Sequence, residues 1–128
     1  MLEALKKAGI KIGLITNCFS EERAVIIESV LYPYFDVVCM SCEVGLIKPD
    51  RKIYELCLDK LDLEPGDCLY CGDGGSHELE AALSIGMHPV QACWYLQEGS
   101  GQPTGRKPEF IGAMNPMDIV KLAKAYPL

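Results

Sequence analysis

Apolar residues in this chain fall into short continuous runs that alternate with amphipathic stretches of helical period. Met1–Ala8 puts Leu2, Leu5 and Ala8 on one helical face, and Gly9 suits the left-handed position after a helix. Ile10–Ile15 reads as a strand and Thr16–Phe19 as the loop after it. Ser20 is the predicted N-cap of a helix running to about Leu31, with Glu21 and Glu22 in its first turn and Pro33 beyond its end. Phe35–Met40 is a β-branched, apolar strand, and Glu43–Pro49 reads as loop, with Lys48 biased toward extended geometry by the following proline. Asp50 caps a helix carrying Ile53, Leu56, Cys57 and Leu61. Pro65-Gly66 breaks the chain before a strand at Cys68–Cys71, and Glu78–Ile85 is a helix stopped by Gly86. Pro89–Trp94 reads as a strand, Gln97–Pro108 as a polar Gly/Pro loop expected to be mobile, and Phe110-Ile111 as a short edge strand. Asn115 caps a last helix, Met117–Ala125.

Strands and helices alternate at βα spacing. The pattern therefore predicts an α/β, Rossmann-like three-layer sandwich, with a parallel sheet covered on both faces. The chain has 128 residues, enough for one domain, and 49% of them are hydrophobic, enough for a real core. A net charge of −6 argues against nucleic acid as a main partner, because a basic patch is the usual footprint. No apolar run approaches the roughly 18 residues of a membrane span, and no secretory leader pattern opens the chain. Seven cysteines, mostly in apolar runs, fit reduced thiols in a cytoplasmic protein.

The candidate chemistry centres on Gly72-Asp73-Gly74-Gly75-Ser76-His77-Glu78, a glycine-rich turn between a strand and a helix. Such a turn lies at a strand's carboxyl end, where open α/β sheets place ligands, and its N–H groups suit an anion. Asp73 and Glu78 add two hard carboxylates, so a phosphate with bound Mg²⁺ fits. Taken alone, the turn is equally ordinary turn chemistry. It lacks the third glycine of a dinucleotide fingerprint and the Gly-Lys-Ser/Thr of a P-loop. Thr16-Asn17 and Lys48 also fall just past strand ends, and in a parallel sheet all these groups are expected to converge on one crevice. There Thr16 would bind a phosphate oxygen, Lys48 would neutralise its charge and Asp73 would hold the cation.

Ile15-Thr16-Asn17, Gly45-Leu46-Ile47-Lys48-Pro49-Asp50 with Ile53-Tyr54, Gly72-Asp73 with Glu78-Leu79 and Ala82, and Gly86-Met87 together resemble the haloacid dehalogenase superfamily of hydrolases, in its phosphatase-like members. The resemblance implies that Thr16 is the phosphate-binding residue of the second family motif and Asn17 its neighbour in the substrate site. It makes Lys48 the catalytic lysine of the third motif and Asp73 the Mg²⁺ ligand of the fourth. Glu78 stands where many members carry a second aspartate. The family's Asp-x-Asp motif, which supplies the nucleophile of an aspartyl-phosphate route, occurs nowhere in the sequence. Residues 1–128 therefore look like the C-terminal portion of such a core, with motifs II to IV, lacking the first, central strand and the cap. The implied substrate is a small phosphorylated molecule. Direct pairing of the Ile10–Ile15 and Cys68–Cys71 strands, strand exchange in a homo-oligomer, or a missing N-terminal segment is expected to make up for that strand, and a non-catalytic binding module of the same fold is the alternative.

Cys39-x-x-Cys42 and Cys68-x-x-Cys71 invite a zinc reading. It is disfavoured, because residues three apart on a strand face opposite ways. His77 is read equally as a substrate contact or an exposed helix-start residue; His88, Trp94 and Tyr95 are read as structural.

Overall fold

A computed structural model describes residues 1–96 and 105–125, which divide at residue 64 into two compact units. The first contains α1 (Leu2–Lys7), β1 (Gly13–Thr16), α2 (Arg23–Glu28), β2 (Val37–Met40), α3 (Ser41–Val44) and α4 (Arg51–Leu61). β1 and β2 pair in parallel, with Gly13 opposite Val37 and Thr16 opposite Met40. Asp50 caps α4 by accepting from Lys52 N at 3.0 Å. The helix buries Ile53, Tyr54, Cys57, Leu58 and Leu61, and its isoleucine and leucines each contribute roughly 1.5–3 kcal/mol on leaving water. Gly13 permits this packing: a Cβ there would lie 2.8 Å from Cys57 Sγ and 3.0 Å from Leu61 Cδ1. Asp36 fixes the start of β2. Its Oδ2 accepts from Ile12 N at 2.8 Å, and its carboxylate pairs with Lys6 Nζ at 2.7 Å.

The second unit contains β3 (Leu69–Gly72), α5 (Glu78–Ile85), β4 (His88–Ala92), β5 (Ile111–Ala113) and α6 (Pro116–Lys124). Its strands form a parallel sheet in the order β3-β4-β5, with β5 at the edge as predicted. Leu79, Ala82, Val90, Ala113, Ile119 and Val120 form its core. Asn115 caps α6, accepting from Asp118 N at 3.2 Å, while the Asp118 carboxylate reaches back to the Asn115 N–H.

The α/β class and the parallel pairing are those the alternation predicts. The predicted helix from Ser20 to Leu31 is much shorter. It becomes a 3₁₀ turn at Ser20–Glu22 and the six residues of α2, with a second 3₁₀ turn at Tyr32–Tyr34 beyond its predicted end. No residue of α2 is buried, so no packing supports a longer helix. Ser20 is not its cap; Glu22 Oε1 instead accepts from Phe19 N at 2.9 Å. α3 begins at Ser41 and extends into the predicted loop, closed by Gly45 at φ 71°. Residues 97–104 of the predicted polar loop lie outside the described residues; 105–107 are irregular. Among the described residues, no helix is long and apolar enough to cross a membrane.

Candidate active site

In the first unit, β1 delivers half-buried Thr16 at its carboxyl end, followed by exposed Asn17. The Asn17 carboxamide grips the Lys48 backbone at two points: Oδ1 accepts from Lys48 N at 2.8 Å, and Nδ2 donates to Lys48 O at 3.1 Å. The intervening chain is shaped to arrive there. Gly45 takes the left-handed conformation, the Lys48–Pro49 peptide is cis, and Asp50 N donates to Ile47 O at 2.9 Å. Thr16, Asn17 and Lys48 are thus gathered in one unit. A second stitch lies beside the first. Ser41 Oγ accepts from Cys18 N at 2.9 Å and donates to Cys18 O at 3.0 Å.

In the second unit, Asp73 Oδ1 accepts from Gly75 N at 2.8 Å and the Asp73 carbonyl accepts from Gln91 Nε2 at 2.9 Å. Asp73 Oδ2 has no hydrogen-bond partner among the described residues. Glu78, expected as a second ligand, is buried with both carboxylate oxygens engaged. Oε1 accepts from the Tyr70 hydroxyl at 2.7 Å and Oε2 from Gly74 N at 3.0 Å. Gly72 leaves room for that carboxylate, since a Cβ there would lie 2.6 Å from it.

The expected anion cradle is therefore changed. The N–H groups of Gly74 and Gly75 already serve the chain's own carboxylates. The turn also carries three left-handed positions in four residues: Gly74 at φ 101°, then Ser76 at 55° and His77 at 52°. Such conformations cost of order 1–3 kcal/mol at a non-glycine residue and recur at functional turns.

The sequence reading missed Gln91. It is fully buried in β4 and donates through Nε2 to Asp73 O and, at 3.0 Å, to Gly105 O. Its Oε1 accepts from Arg106 Nη1 at 2.9 Å and Lys107 N at 2.8 Å. The available signal was a lone amide within the apolar run Pro89–Cys93. Near it, Lys107 Nζ lies 2.6 Å from Glu80 Oε1, and that bond holds the Glu80 carboxyl below its ordinary range.

As to metal, the fit rests on Asp73. One carboxylate oxygen is fixed by Gly75 N and the other has no hydrogen-bond partner among the described residues, which contain no group of three or more His, Cys, Asp and Glu side chains suited to a metal ion. That donor set suits a hard ion that keeps waters and shares phosphate oxygens, as Mg²⁺ does. The cysteine pairs separate: Cys39 is fully buried in β2, while Cys42 is exposed at α3, 3.4 Å from Cys18.

Residues 1–86 match the family described as haloacid dehalogenase-like hydrolase. The chain is 37% identical over 98 residues to bifunctional epoxide hydrolase 2 of Sus scrofa, covering 70% of this chain and 18% of that protein. It is 32% identical over 110 residues to pyrimidine 5'-nucleotidase YjjG of Escherichia coli, covering 84% of this chain and 47% of that one. In structure it is similar to a HAD phosphatase from Thermococcus onnurineus, with a TM-score of 0.78 and 28% identity over 94% of this chain and 54% of that one. The chain thus spans about half the length of the latter two, and far less of the first.

Proposed function

The chain belongs to the haloacid dehalogenase-like hydrolases, and from that premise we propose that it carries the phosphate-binding and Mg²⁺-binding motifs of a phosphohydrolase acting on a small phosphorylated molecule. The observation that carries this reading is the Asn17 grip on Lys48. It holds a lysine beside the strand end that presents Thr16. In this reading the Thr16 hydroxyl donates to a phosphate oxygen, and the Lys48 ammonium stabilises the charge that develops there. Asn17 acts through Lys48 as a positioning residue. Asp73 is the direct Mg²⁺ ligand, and the ion, when bound, supplies Lewis-acid neutralisation of the phosphate. Glu78 supports the metal from behind by holding Gly74 and the shape of the Asp73 turn.

The 128 residues correspond to motifs II to IV of the family core, without the Asp-x-Asp pair. The same absence favours a second reading, a non-catalytic anion-binding module on this fold. Two measurements on the 128-residue protein test the proposal. Mg²⁺ titration followed by NMR should perturb the Asp73–Gly75 amides, and Asp73→Asn should abolish the response. Phosphate-monoester turnover should be absent, because the sequence holds no Asp-x-Asp pair. Mg²⁺ binding unaffected by Asp73→Asn would overturn the metal assignment. Turnover by rigorously purified protein, lost in Asp73→Asn, would overturn the assignment of the nucleophile to residues outside this sequence.

A further inference from the structure

Cys18, on the loop that carries Thr16 and Asn17, and Cys42, in α3, bring their sulfurs to 3.4 Å across 24 residues of sequence. From this geometry we propose that Cys18 and Cys42 form a reversible disulfide. Both are accessible: Cys42 is exposed and Cys18 half-buried, whereas Cys39, Cys57 and Cys93 are buried. The contact is also held from the backbone. Ser41, the residue before Cys42, bonds both the N–H and the carbonyl of Cys18, so the two chain segments meet before any oxidation. Closing the bond needs the sulfurs to approach from 3.4 Å to about 2.05 Å.

The oxidant class is a small-molecule disulfide, such as oxidised glutathione. One protein thiolate attacks it and expels the first glutathione thiolate. The second protein thiolate then displaces the bound glutathione and closes the Cys18–Cys42 bond. One protein disulfide and two glutathione thiols result, and the two protons lost from the cysteines balance those gained by glutathione. The product would tie the loop after Thr16-Asn17 covalently to α3, the helix that leads to Lys48. Desolvation, then the adjacent Cys18 thiol and the Glu43 carboxylate, raise the Cys42 thiol above its ordinary value. The equilibrium between dithiol and disulfide is the quantity to measure.

The test is equilibration of the folded protein in glutathione redox buffers, followed by thiol alkylation, intact mass and peptide mapping. The expected result is loss of two alkylatable thiols without added glutathione, with the Cys18 and Cys42 peptides linked and the link reversed by reduced glutathione. Ser41→Ala, which removes both bonds to Cys18 and loosens the alignment, should shift the equilibrium toward the dithiol about 3–10-fold, a part of the two bonds' combined net effect. Cys42→Ser should give no intramolecular bond. A disulfide mapped to another pair, or glutathione adducts in place of the Cys18–Cys42 link across the whole buffer range, would overturn the proposal; mapping on the unmodified sequence decides the matter even where a variant fails to fold.

Discussion

Asn17 holds Lys48 by its backbone and not by its side chain: one carboxamide satisfies both the N–H and the C=O of the lysine, at 2.8 and 3.1 Å. The consequence is that the position of the lysine depends on a neighbour of Thr16. Asn17→Ala should cost about 1–2 kcal/mol of stability, two net hydrogen bonds at a partly exposed site. Its effect on phosphate affinity should exceed its effect on folding. Denaturant titration beside phosphate titration checks this; equal small losses in both would reduce Asn17 to an ordinary turn residue.

Gly72 and Glu78 form a second dependent pair. A methyl at position 72 would meet the Glu78 carboxylate at 2.6–2.7 Å, and that carboxylate is buried and bonded to Tyr70 and Gly74. Gly72→Ala should therefore destabilise by roughly 2–4 kcal/mol, through overpacking and a broken buried network. Gly66→Ala, where a Cβ would meet nothing within 4 Å, is the control. Thermal unfolding of the two variants gives the comparison, and equal melting temperatures would contradict it.

Gln91 is the buried junction of the second unit. Gln91→Leu would leave the Asp73 and Gly105 carbonyls and the Lys107 N–H without their partner, each unsatisfied group costing about 1–3 kcal/mol. Hydrogen exchange should quicken at Lys107, whose N–H bonds Gln91. Protection unchanged at that amide would show that Gln91 acts only as filler.

Much of this was legible before the fold was known. Apolar runs marked the strands because buried parallel strands carry apolar residues on both faces. Asp50 and Asn115 were identifiable as caps from residue type and position, and both accept the expected backbone bonds. The helix after Ser20 was overextended, because its apolar residues Val25 and Val30 satisfy the period yet are 70% and 86% exposed. Local pattern carries no information on what packs against it. The dual use of Asn17 was invisible for a related reason: a carboxamide's partners depend on which distant backbone arrives, here 31 residues away. The bonds of Glu78 to Tyr70 and Gly74 were invisible for the same reason: the pattern around a carboxylate near a turn does not name its partners.

Acid stability follows from two carboxylates. Asp36 is held below its ordinary range first by Lys6 and then by the Ile12 N–H, and Glu80 first by Lys107. A depressed folded value means the stabilisation is complete above the unfolded value and is lost as pH falls through the folded one. Stability should therefore be level from neutral pH to about 5 and fall below roughly pH 4. Both groups are more than a third exposed, so each contributes on the scale of a surface pair, about 1 kcal/mol or less. Denaturant midpoints across this range should fall less steeply in Asp36→Asn than in the parent; parallel slopes would contradict the assignment.

The central claim is that the loops at Thr16 and Lys48 bind phosphate. NMR titration of the 128-residue protein with inorganic phosphate tests it most directly. The account predicts saturable shifts in the amides of residues 16–18 and 46–48, weakened at least several-fold in Thr16→Ala and Lys48→Ala while both variants keep the parent's fold. Shifts confined to other residues, or unchanged affinity in the two folded variants, would contradict it.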